Sequence, residues 1–120
     1  MNQDLFCFQR LKAYQHARAG LKVIVDNAGA FRGLLGDLGP QMHHAAVSCA
    51  LNIAEGNAKL SVAEKRRLYQ IALGSANEVA ACADLAELHR VDAQLTGEIM
   101  NRMDQVRRIL LALCGATHRR

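Results

Sequence analysis

The chain has 120 residues, 51% of them hydrophobic, 22% charged and 4% aromatic, with a formal net charge of +4. That length fits one domain, and the balance excludes disorder, which requires low hydrophobicity and high net charge. The longest apolar stretch, Ile109 to Cys114, falls far short of the roughly 18 residues of a membrane span, and Met1, Asn2, Gln3 and Asp4 place no basic region before an apolar block, so a cytoplasmic chain without a secretory signal is expected.

Alanine and leucine supply 20 and 16 residues, whereas valine, isoleucine and threonine together supply 14. Strong helix formers dominate, and no segment alternates apolar and polar residues over a strand's length. An all-α fold is predicted. A first helix is expected from about Leu5 to Leu35, with Leu11, Tyr14, Ala17, Leu21, Ile24, Ala28, Phe31 and Leu35 on one face and Gly20, Gly29 and Gly33 weakening it. Gly36 to Gly39 reads as a turn, with Pro40 at the first position of the next helix. That second helix is expected to end at Glu55, closed by Gly56 and Asn57. Ser61 and Glu64 form a capping box that opens a third helix to about His89. The fourth is expected from Asp92 to Cys114, with Leu95, Ile99, Met103, Val106, Leu110 and Leu113 as its apolar row and Gly115 as its stop. Short connections predict an antiparallel up-down four-helix bundle as a single domain over residues 1–120. The third helix is apolar on more than one side, with Leu73, Ala76, Ala80, Ala81 and Leu88 beyond its main face, which predicts self-association.

Two stretches carry most information. The first runs Gln41-Met42-His43-His44-Ala45-Ala46-Val47-Ser48-Cys49-Ala50-Leu51-Asn52-Ile53-Ala54-Glu55-Gly56, and the second is Gly74-Ser75-Ala76-Asn77-Glu78. Together they resemble the four-helix-bundle proteins encoded in intervening sequences of bacterial large-subunit ribosomal RNA genes. That family shows Q-x-x-R-A-A-x-S-x-x-x-N-I-A-E-G followed one helix later by G-S-A-x-E, and the resemblance covers nearly the whole chain. At the superfamily level the chain is similar to the accessory variability determinant of diversity-generating retroelements. The resemblance implies a ring-shaped homopentamer, and a partner that is RNA or DNA, a reverse transcriptase or another protein. The chain departs from the pattern at His43-His44, where the family tends to carry arginine before the double alanine. Histidine titrates near 6.5, so anion binding at that face would become pH-sensitive.

Asparagine is a poor residue for a helix interior, and a glutamate in a last turn faces the negative end of the helix dipole. Asn52 and Glu55 therefore predict a polar cluster with Ser75 and Glu78 where helices two and three meet, with Lys65 or Arg67 as cation partners. Two roles stay open for it: a hydrogen-bond network that sets helix register, or a ligand site. Gly74 and Ser75 are small enough to let two helix backbones approach closely. No glutamate begins the Glu-x-x-His spacing of a di-iron bundle, and adjacent His43 and His44 point about 100° apart on a helix. No metal, cofactor or catalytic residue is expected, and the chain reads as a non-enzyme. Cys7, Cys49, Cys82 and Cys114 lack metal or redox spacing and read as small apolar residues.

Residues 57–120 carry ten basic and seven acidic residues against five and four in residues 1–56. Lys59, Lys65, Arg66 and Arg67 open helix three. Arg102, Arg107, Arg108, Arg119 and Arg120 lie along helix four and beyond it. If helices three and four run antiparallel, these groups form one basic end, and seven of them, Lys59, Lys65, Arg66, Arg67, Arg102, Arg107 and Arg108, are expected to contact phosphates by counterion release. The five aromatic residues, Phe6, Phe8, Tyr14, Phe31 and Tyr69, are too few for base stacking as the mode. The expected function is a non-catalytic nucleic-acid-binding or nucleoprotein-scaffold protein, with a protein-interaction scaffold as the alternative.

Overall fold

The computed structural model describes residues 6–118 and side chains as far as residue 115. Four helices form, α1 (Lys12–Asp26), α2 (Leu38–Ala58), α3 (Val62–Ala86) and α4 (Ala93–His118), and among the described residues there is no strand. Helix α1 packs on α2 and α4, and α3 packs on the same two, so the four surround one core.

The long first helix of the sequence expectation is divided, and local hydrogen bonding explains both breaks. Before it, Cys7–Arg10 forms a 3-10 turn in which the Phe6 N–H donates to Gln9 Oε1 at 2.8 Å. Leu11 is then extended, with φ −70° and ψ 128°. After Asp26, the Val23 carbonyl accepts both the Asn27 N–H at 3.1 Å and Asn27 Nδ2 at 2.8 Å, so the side chain of the capping residue folds back onto the last turn. Leu5 lies outside the described residues. The buried face of α1 is Ala13, Ala17, Gly20 and Ile24, while Ala28 and Leu35 are exposed.

Gly36 (φ 70°) and Asp37 (φ 55°) both take left-handed conformations at the turn into α2. Pro40 is the third helical residue rather than the first. No helical bond is lost, because the first four N–H groups of a helix have no intrahelical acceptor. Helix α2 also runs past Glu55 to Ala58, and Gly56 lies inside it, buried. The stop is Lys59, which is extended at φ −76° and ψ 144°.

Ser61 Oγ accepts from the Glu64 N–H at 3.3 Å and opens α3, which is one half of the expected capping box; the Glu64 carboxylate lies instead 4.0 Å from Lys59 Nζ. A 3-10 turn, Glu87–His89, follows it, and Arg90 at φ 66° turns the chain. Asp92 Oδ1 then accepts from the Gln94 N–H at 3.2 Å at the start of α4. Thr96, Ile99, Met103, Val106, Leu110 and Cys114 are buried along α4. Leu113, expected on that row, is instead 36% exposed. The helix continues through Gly115 to His118, because glycine lowers helix propensity without enforcing a stop.

Candidate nucleic-acid interface

The polar contact between α2 and α3 rests on three side chains. Ser48 and Ser75 hydroxyls meet across the two helices at 3.0 Å. Asn52 Nδ2 donates to the Ser48 carbonyl at 2.8 Å and to Ser48 Oγ at 3.2 Å. This i to i−4 bond is what lets an asparagine sit inside a helix. Asn52 and Ser75 are thus brought together through Ser48, whose place four residues before Asn52 was the available signal. Glu55 and Glu78 are exposed, and among the described residues neither has a hydrogen bond to this chain of groups. Lys65 is engaged elsewhere: its Nζ donates to the carbonyls of Asn57 (2.8 Å) and Gly56 (3.2 Å), where a cation meets the negative end of α2. Gly74 is exposed, and a Cβ there would meet nothing within 4 Å, so it does not provide the close approach expected of it.

The basic residues divide into three settings. At the start of α3, Lys59 Nζ lies 4.0 Å from Glu64 Oε1, and Arg67 is exposed. Arg66 acts on Cys114 at the far end of the chain: burial pushes that thiol up while the Arg66 charge pulls it down. On α4, Arg107 and Arg108 share one carboxylate, with Asp104 Oδ1 2.6 Å from Arg107 Nη2 and Oδ2 2.8 Å from Arg108 Nε. The Arg107 hydrogen bond, followed by Arg108, holds the Asp104 carboxyl below its ordinary range. This trio keeps one net positive charge. Arg102 faces another way, toward α1, where its Nη1 donates to His16 Nδ1 at 3.0 Å. Arg119 and Arg120 lie outside the described residues.

His43 and His44 are both exposed on α2, and His43 borders an apolar groove of about 390 Å³ with Ile24, Val25, Ala28, Phe31 and Arg32. Among the described residues no three histidine, cysteine or acidic side chains converge as metal ligands would. Burial pushes the Cys49 thiol up to about 12, which leaves it protonated and unreactive. No described helix is long and apolar enough to cross a membrane.

The family model described as 23S rRNA-intervening sequence protein matches residues 9–112. A crystal structure from Bacteroides thetaiotaomicron, described as a protein of unknown function from the S23 ribosomal protein family, superposes with a TM-score of 0.68. It is 20% identical in sequence, and the match covers 86% of this chain and 94% of that one, a likeness of fold. No curated protein matches the sequence significantly.

Proposed function

The chain belongs to the 23S rRNA-intervening sequence protein family, and from that premise we propose that it is a non-catalytic nucleic-acid-binding or nucleoprotein-scaffold protein. In this reading it works as a homopentameric ring whose basic surface holds RNA or DNA by the phosphate backbone. The observation that carries the reading is the action of Arg66 on Cys114, which supports a basic surface running from Lys59, Lys65, Arg66 and Arg67 along the α3–α4 contact to Arg107, beside Leu73, Ala76 and Asn77, with Arg102 turned away to α1. An antiparallel course for α3 and α4 is favoured by the same pair, together with the bond from Thr96 Oγ1 to Glu87 Oε1 at 2.7 Å. Thr96, near the start of α4, bonds to Glu87 in the 3-10 turn that follows α3, and Arg66, near the start of α3, acts on Cys114, near the end of α4. Self-association is favoured by Ile71 and Leu85 of α3, which remain 42% and 46% exposed.

Of the seven basic residues, Arg67 and the Asp104-shared pair Arg107 and Arg108 are the natural phosphate contacts. Lys65 acts first on the carbonyls that end α2, and Arg102 on His16. The double substitution Arg67→Glu, Arg108→Glu tests the reading. It should abolish binding of a mixed-sequence RNA while leaving the helical circular-dichroism spectrum unchanged; unchanged affinity would overturn the basic-surface assignment. In that event the alternative, a scaffold for a protein partner such as a reverse transcriptase, takes its place.

A further inference from the structure

The contact between α1 and α4 joins Arg102 to His16, with Lys12 also acting on the imidazole; Glu98 lies one turn before Arg102 on α4 but, among the described residues, neither Arg102 nor Lys12 makes an ion pair. Arg102 Nη1 donates to His16 Nδ1 at 3.0 Å across the two helices, so that nitrogen carries no proton in this arrangement. Lys12 lies one helical turn before His16 on α1. The charges acting on His16 are those of Arg102 and Lys12, and no acidic side chain acts on it among the described residues. His16 and Arg102 are both half-buried, so solvent reaches them while the contact holds them in place. Helix α1 is drawn close here, since a Cβ on Gly20 would come within 2.6 Å of Met103 Cε. Structural cation clusters ordinarily contain an anion, and Asp104 fills that role for Arg107 and Arg108. Among the described residues, Lys12 and Arg102 have no such ion-paired carboxylate.

We propose that Lys12, His16 and Arg102 form an oxyanion site across the α1–α4 contact that takes a phosphate group, either of a nucleic-acid backbone or of a free phosphate. Arg102 supplies a planar fork of donors and Lys12 a point charge. His16 joins by taking up a proton and changing from acceptor to donor. Without the anion, burial first, then Arg102 and Lys12, hold the imidazole below its ordinary 6.5. A bound dianion reverses the sign of the local field, so binding and proton uptake are linked and affinity rises as pH falls. The backbone version rests on the nucleic-acid reading above, whereas the free-phosphate version stands without it.

The test follows the histidine ring signals of the full-length protein by NMR across pH. One arm uses sulfate, which keeps both charges over this range, against chloride at equal ionic strength; the other uses a short single-stranded RNA. The proposal predicts that at least one probe raises the midpoint of His16 and leaves those of His43, His44 and His89 in place. Affinity for that probe should increase about tenfold between about pH 7.5 and about pH 5.5, the worth of one charge-assisted hydrogen bond. His16→Gln, which keeps an acceptor for Arg102 but does not titrate, should bind with no such pH dependence. Movement of His16 by sulfate alone assigns the site to free oxyanions, and movement by RNA assigns it to the backbone. If neither probe moves the His16 midpoint, the site is refuted, even where RNA binds elsewhere on the protein. If sulfate moves it and RNA does not bind at all, the site stands and the nucleic-acid reading fails.

Discussion

Gly56 of α2 lies against the ring of Tyr69 of α3, so near that a Cβ would stand 2.7 Å from Tyr69 Cε1 and 3.4 Å from Leu68 Cβ. The two helices meet closely because α2 has no side chain at this point. Tyr69 is 7% exposed, which leaves its ring little room to retreat. Gly56→Ala should therefore destabilise the protein by about 1–3 kcal/mol through overpacking, despite alanine's better helix propensity. Gly74→Ala is the control. Nothing lies within 4 Å of a Cβ there, so the substitution should stabilise by up to about 1 kcal/mol. Urea unfolding of the two variants gives the opposite signs directly.

The Ser48–Ser75 hydroxyl pair at 3.0 Å is a side-chain to side-chain link between α2 and α3. Removing either hydroxyl leaves the other with a poorer set of partners, although Asn52 still reaches the Ser48 carbonyl. A double-mutant cycle on Ser48→Ala and Ser75→Ala should return a coupling of about 1 kcal/mol. A coupling of zero would mean that water substitutes fully for the pair.

Glu55 offers a contrasting case. It is exposed, and no hydrogen bond ties it to Asn52 or Ser75. Glu55→Ala should shift unfolding free energy by less than about 0.5 kcal/mol, the usual range for such surface positions. A loss well above that would place the carboxylate in a contact formed only on assembly.

His16 also makes stability depend on pH. Its folded-state pKa lies below the ordinary 6.5, by burial and by the charges of Arg102 and Lys12. Between the two values the unfolded chain binds more protons than the folded one, so stability rises with pH in that window. The contribution is complete above pH 6.5 and is lost as pH falls through 6.5 toward the lower folded value. Denaturation midpoints should fall over that interval in the wild-type protein at low salt. His16→Gln should remove that part of the slope, and added sulfate should reduce it in the wild type.

What was legible in the sequence follows the range of the interactions. Ser61 and Asp92 cap α3 and α4 as their local chemistry predicts, because a cap involves only a few consecutive residues. The buried row of α4 also follows its spacing, apart from Leu113. Gly56 was read as a helix stop because the same residue serves a left-handed cap or a close approach, and only Tyr69 decides between them. The ends of α1 depend on Gln9 and Asn27 turning their side chains onto nearby backbone, a choice that apolar periodicity does not encode. For the polar cluster, Asn52 and Ser75 were visible, whereas helical spacing did not fix the rotation that turns Glu55 and Glu78 to the surface. Arg102 was read as part of a basic end, but His16, 86 residues away in sequence, draws it to α1.

Binding of nucleic acid by the basic surface, as proposed above, would run through phosphates. Its most direct test is fluorescence-anisotropy titration of a mixed-sequence RNA and a DNA duplex at low and near-physiological salt. Affinity should fall steeply with salt, with a log–log slope of about 0.9 for each duplex phosphate neutralised and little preference for sequence. Absence of binding even at low salt would contradict it and leave a polypeptide as the partner.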